Sequence, residues 1–123
     1  MASTSTTPTA SKKVPRPLPA PIVERIAERF RVLGEPVRIN LLQHLRDGEA
    51  TVGDLQKATG ASQQNVSKHL GVLHRAGIVS RRKQGNFSVY AIADPVVFAL
   101  CEEVCGGLMR ELEELDSLLQ GGD

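Results

Sequence analysis

Ser62–Gly77 reads SQQNVSKHLGVLHRAG, and its spacing decides what kind of fold this chain makes. Val66, Leu70 and Leu73 recur at i, i+4 and i+7 with Ala76 close beside them, which is one stripe of a helix facing a core. The opposite face carries Gln63, Gln64, Ser67, Lys68 and Arg75. Side-chain amides offer the paired donor and acceptor that a base edge in a DNA major groove requires. Ser62 is a helix-capping residue, and Gly77 supplies the left-handed position that ends many helices. Taken alone, the stretch fits a DNA-reading helix and an ordinary amphipathic helix with a solvated face equally well.

The flanks separate the two. Upstream, Thr51-Val52-Gly53-Asp54 has the form of a capping box with Asp in place of the usual Glu. It introduces a helix of about two turns that carries Leu55 and Ala58 inward and closes at Gly60. Gly60-Ala61-Ser62 then joins the two helices by a tight turn, the helix-turn-helix arrangement. Downstream the period changes from helical to alternating: IVSRRK, QGN, then FSVYAIA, a β-hairpin. Its first strand and tip carry Arg81, Arg82, Lys83, Gln84 and Asn86. Hairpin cations often only protect an edge, but a basic hairpin directly after a reading helix has the form of a wing.

Charge distribution points the same way. The formal net charge is only +1, yet Leu55 through Ala93 contains no Asp or Glu while holding Lys57, Lys68, Arg75, Arg81, Arg82 and Lys83. That is a local footprint for a polyanion. From Glu102 onward the sign reverses, with Glu102, Glu103, Glu111, Glu113, Glu114, Asp116 and Asp123 against Arg110 alone.

Further out, Ile22, Ile26, Phe30 and Leu33 mark a first helix before Gly34. Glu35-Pro36 opens a second, with Val37, Leu41, Leu42 and Leu45 inward. Arg38 near its start is either a solvated charge or a phosphate or ion-pair contact. Asp94-Pro95 caps a long last helix whose Val97, Cys101, Val104, Leu108, Leu112, Leu115 and Leu119 step by threes and fours. A small domain cannot cover that stripe, so pairing of first and last helices with a second copy is expected. Gly106-Gly107 inside it marks a close helix crossing or a kink.

The expected fold class is mainly α with a small β-hairpin (α+β): a winged helix-turn-helix of five helices plus a two-stranded wing. Residues 1–21, rich in Ser, Thr, Ala and Pro with Lys12, Lys13 and Arg16, are expected to be a disordered basic tail, either a plain linker or a DNA-contacting arm. The domain is expected over 22–119, with 120–123 a flexible end. At 123 residues, with 41% hydrophobic and 24% charged content, there is room for one core. No apolar run approaches the roughly 18 residues a membrane helix needs, and no signal-peptide core stands at the N-terminus. A cytoplasmic protein without membrane partners is expected, and two cysteines fit a reducing compartment. No paired nucleophile and base, phosphate loop or complete metal signature argues for an enzyme.

LGEPVRINLLQHL, TVGDLQKATGASQQNVSKHLGVLHRAGIV and RRKQGNFSVYAI together resemble the ArsR/SmtB family of bacterial winged-helix repressors, from about Phe30 to Ile92. The resemblance implies a homodimer that binds a pseudo-palindromic double-stranded DNA operator and leaves it when an effector arrives. It implies base contacts from Gln63, Gln64, Ser67 and Lys68, with His69 nearby; Asn65 and Arg75 are expected to belong to the same DNA-binding set. It places Arg81, Arg82, Lys83, Gln84 and Asn86 on the DNA backbone. Two metal sites common in the family are missing their ligands. Thr51 and Gly53 stand at the cysteine positions of one, and of the other only Asp94 survives, with Val96, Gly107 and Arg110 in the remaining places.

Cys101 and Cys105, at i and i+4, point to one face of the last helix. Their β-carbons would lie about 6 Å apart where a disulfide needs about 4 Å, and two thiolates leave a tetrahedral metal short of ligands. They are either small hydrophobes on the dimer stripe or a sensor of a soft metal, a metalloid or a thiol-reactive species. No resident cofactor is expected. The alternative to a DNA-binding regulator is a winged helix whose basic face docks an acidic protein partner.

Overall fold

The computed structural model describes residues 14–121. They fall into two units that divide between Arg31 and Val32, two residues before the end of the first helix. That helix, α1, spans Ala20–Leu33. It begins two residues earlier than the Ile22 start expected from its apolar spacing, because Pro21 is compatible with a first helical turn. Ile22, Val23, Ile26 and Phe30 are exposed. The proposed tail is therefore shorter than 1–21, and its first thirteen residues lie outside the described ones.

The second unit holds α2 (Pro36–Leu45), β1 (Ala50–Thr51), α3 (Val52–Thr59), α4 (Gln63–Arg75), β2 (Val79–Gln84), β3 (Phe87–Ile92) and α5 (Pro95–Gly121). The five helices match the expectation. So does the two-stranded wing, β2 with β3; the sheet adds a third, unexpected strand, giving the order β1-β3-β2, all antiparallel. The extra strand is only Ala50 and Thr51, paired to Tyr90 and Val89. Two residues cannot show an alternation, so no periodic signal announced it.

Leu41, Leu42 and Leu45 from α2 meet Leu55 from α3, Val66, Leu70 and Leu73 from α4, and Ile78 and Val79 leading into β2, all nearly inaccessible. At about 25 cal/mol per Å² of apolar surface, each such leucine stabilises the fold by roughly 1.5–3 kcal/mol. Leu33, Tyr90 and Val97 close the edges of this core. Ala58 was expected inward and is exposed. In α3 the inward stripe runs through Val52, Leu55, Gln56 and Thr59, spaced i, i+3, i+4 and i+7, and Ala58 falls beside it.

Asp94 Oδ1 accepts hydrogen bonds from the backbone N–H of Val96 and Val97, at 3.1 and 3.3 Å, so the expected cap and first-position proline start α5. Val97 is its one buried residue, and Phe98 and Cys101 pack partly against the core. The helix continues unbroken through Gly106-Gly107 to Gly121, so residues 120 and 121, expected as a flexible end, are helical. A Cβ at either glycine would meet only the Arg110 guanidinium, at 3.8 and 3.9 Å.

Candidate nucleic-acid interface

The helix-turn-helix is fastened at both of its helix starts. Thr51 Oγ1 accepts from Asp54 N–H and Asp54 Oδ2 accepts from Thr51 N–H, each at 3.1 Å, a reciprocal box that satisfies two otherwise orphaned donors. The Thr51 backbone and side-chain hydrogen bonds hold the Asp54 carboxyl below its usual range. Ser62 Oγ accepts from Asn65 N–H at 3.1 Å and caps α4. Gly60 and Gly77, after α3 and α4, have φ of 77° and 78°, where a side chain would strain the backbone.

With its inner stripe sunk in the core, α4 presents Gln63, Gln64, Ser67, Lys68, His74 and Arg75 to solvent, while Asn65 is half-buried. His69 does not join them. It is 7% exposed and sits on the inner stripe between Val66 and Leu70. Arg38 Nε donates to His69 Nδ1 at 3.1 Å, and Arg38 Nη1 donates to the Val32 carbonyl at 2.9 Å. Arg38 is thus neither a free surface charge nor set out for phosphate; it is a half-buried bridge to the recognition helix. Burial, then the nearby Arg38 and Lys68 charges, push the His69 pKa down, with Glu35 opposing. A bond donated to Nδ1 requires the neutral ring with its proton on Nε2, the form that the lowered pKa favours.

In the wing, β2 pairs with β3 in the register Arg81↔Tyr90, Arg82↔Val89, Lys83↔Ser88 and Gln84↔Phe87. Successive side chains alternate, so Arg81 and Lys83 share the face of Val79 and Tyr90, and Arg82 shares the other with Ser80 and Gln84. Arg82 is engaged there: Nη2 donates to Glu49 Oε2 at 2.6 Å and Nη1 to Gln84 Oε1 at 2.8 Å. Both partners of the ion pair are about half exposed, so it orients the side chain more than it stabilises the fold. Among the described residues no ion pair involves Lys68, Arg75, Arg81 or Lys83. Gln84 and Asn86 are exposed at the hairpin tip. The Arg38–His69 and Arg82–Glu49 contacts span 31 and 33 residues, and nothing in the sequence announced either pairing.

Cys101 is half-buried and Cys105 exposed, and neither is in a disulfide. Both line a cavity of about 150 Å³ between α2 and α5, with Ile39, Leu42, Arg46, Phe98 and Glu102 also in its wall. Burial, then the Glu102 charge, pushes the Cys101 thiol up, which keeps it protonated. Among the described residues no three His, Cys, Asp or Glu side chains are placed to hold a metal ion, and no helix is long and apolar enough to cross a membrane.

A capped helix-turn-helix whose second helix presents an acid-free polar face, with an adjoining basic hairpin, defines a winged helix-turn-helix DNA-binding protein. Residues 33–82 match the model of a helix-turn-helix domain. The chain is 36% identical over 107 residues to the HTH-type transcriptional regulator Rv0081 of Mycobacterium tuberculosis, covering 83% of this chain and 94% of that one. The crystal structure of Rv0081 superposes with a TM-score of 0.69 over 78% of this chain and 97% of its own. The antimony-specific transcriptional repressor AntR superposes at 0.72 with 30% identity, over 87% and 95% of the two chains. The homodimeric DNA-binding domain of Mb0332 from Mycobacterium bovis, described as a possible ArsR-family regulator, gives 0.65 and 30% identity over 71% and 83%. The protein belongs to the ArsR/SmtB family of winged helix-turn-helix transcriptional regulators.

Proposed function

We propose that the protein is a homodimeric repressor acting in the cytoplasm, which binds a pseudo-palindromic operator and is released by an effector. The observation that carries it is the exposed row Gln63, Gln64, Ser67 and Lys68 on α4, in a stretch from Leu55 to Ala93 without acids, together with Arg81 and Lys83, which form no ion pair among the described residues. Gln63 and Gln64 are assigned to base edges, with Ser67, Lys68 and Asn65 flanking them. Arg75, Arg81, Lys83, Gln84 and Asn86 are assigned to the phosphate backbone, where they position without reading sequence. Arg82 acts through its tie to Glu49.

The apolar stripe of α5, exposed from Leu100 to Leu119, supports the dimer, as does the exposed apolar face of α1. The relative Mb0332 is described as homodimeric. The cavity bearing Cys101 and Cys105 is the proposed effector site, for a soft metal, metalloid or thiol-reactive species, with further donors coming from the effector or the second copy.

Mobility-shift titration of the regulated promoter tests the DNA-reading face. Gln64→Ala should relax base preference at a cost of about 1–3 kcal/mol, and Lys68→Ala should weaken binding with a shallower salt dependence. Unchanged affinity in both variants would overturn the assignment.

A further inference from the structure

Arg38 occupies a position that neither the recognition face nor the dimer stripe explains. Its guanidinium reaches from the second helix to two different elements. One nitrogen donates to the Val32 carbonyl in the last turn of α1, where helix carbonyls lack intrahelical partners. Another donates to His69 Nδ1, in the middle of α4 and directly behind the exposed Lys68. No fully buried polar side-chain atom among the described residues is left without a partner.

We propose that Arg38 is a positioning residue for operator recognition: by holding Val32 O and His69 Nδ1 together, it sets the bearing of α4 and ties it to the end of α1. The proposal rests on the assignment of α4 as the DNA-reading helix. Arg suits the task because its planar fork holds several donors in a rigid geometry, whereas Lys gathers its three donors on one flexible ammonium. The bond also requires an unprotonated Nδ1. When His69 takes up a proton there, an N–H faces the Arg38 N–H, the bond is lost and two cations face each other. The charged groups around the ring are Arg38 and Glu35 from the start of α2 and Lys68 from α4 itself. Two of these three are positive, so the ring resists protonation until the pH is below the ordinary histidine range near 6.5.

DNA affinity should therefore be flat from about pH 8 to about 6.5 and fall below that, reversibly, as His69 is protonated. The sign for folding is the same. The unfolded chain takes up the proton first, so this contribution to stability is whole above the unfolded pKa and is lost as pH falls through the folded one.

The test uses the full-length protein and its regulated promoter fragment, with imidazole titrations by NMR beside mobility-shift titrations. Arg38→Met should raise the His69 pKa, because an adjacent cation is gone, and weaken operator binding roughly tenfold, at the low end for losing a hydrogen bond to a charged group. His69→Asn places an amide oxygen near the former Nδ1; it should keep most of the affinity and abolish the fall at low pH, which also separates His69 from His44 and His74. Arg38→Lys should behave like Arg38→Met in DNA binding. Wild-type affinity and pH profile in a folded Arg38→Met protein would overturn the proposal while leaving the recognition helix in place. A wild type that fails to bind the promoter would instead overturn the assignment on which it rests. Thermal melting of each variant shows whether it is folded, and the His69 pKa reports the bridge even if DNA affinity is lost.

Discussion

Two helices of this protein carry apolar stripes of comparable quality and meet opposite fates. In α4 the stripe is spent entirely inside the chain: Val66, Leu70 and Leu73 are at 0% exposure, and everything opposite is polar. In α5 only Val97 is buried, while Val104, Leu108, Leu112, Leu115 and Leu119 stand 54–74% exposed. Hydrophobic spacing is the same signal in both; what differs is whether the fold supplies a surface to cover it. A finished helix can devote its outer face to DNA. An unfinished one calls for a second molecule, and this gives a DNA reader its two-fold symmetry.

The sharpest way to break that contrast is to truncate one leucine on each helix. Leu70→Ala should destabilise the fold by about 2–5 kcal/mol in denaturant titrations, since a buried leucine loses both its transfer free energy and its packing. Leu115→Ala should leave the unfolding free energy of the isolated monomer within about 0.5 kcal/mol of wild type. A large effect at Leu115 in the monomer would mean that α5 is covered within its own chain.

Next in size is the dimer. Leu112→Glu places a charge in the middle of the exposed stripe without touching the core. Sedimentation should show monomers that remain helical by circular dichroism, and affinity for a full operator should drop roughly a hundredfold because two half-sites are no longer held together. Retained dimers would move the interface elsewhere.

The smallest expected effect is at Gly106. Nothing but the tip of Arg110 would meet a methyl group there, so Gly106→Ala should stabilise the helix by about 1 kcal/mol in the monomer. If the same change weakens the dimer, the bare surface is a close crossing of two α5 helices.

Most of this architecture is legible in the sequence. Helical spacing located α4, the Thr51 and Ser62 caps fixed helix starts, and alternation found the hairpin, because each depends on neighbours a few residues apart. Resemblance places His69 toward DNA, although its spacing from Val66 and Leu73 puts it on the inner stripe; a polar residue there waits on a distant partner, and Arg38 is 31 residues away. Arg82 was grouped with Arg81 and Lys83 by composition, whereas strand alternation sends it to the other face and Glu49 secures it there. Exposure of α5 was legible, because a stripe longer than the domain is evident from length alone. The exposed polar residues of α4 and the wing have their chemistry written in the sequence, but the separation of engaged from unengaged cations requires the fold.

The unengaged cations have a consequence for kinetics. Among the described residues Lys68, Arg75, Arg81 and Lys83 have no ion pair to break before meeting a phosphate, and they fall in a stretch, Leu55 to Ala93, that contains no acid. Such a face binds any stretch of DNA weakly before it binds the right one tightly, so a regulator built this way finds its target by sliding and hopping along the chromosome. The ionic strength of the cell then governs not only how firmly the operator is held but how long it takes to be found.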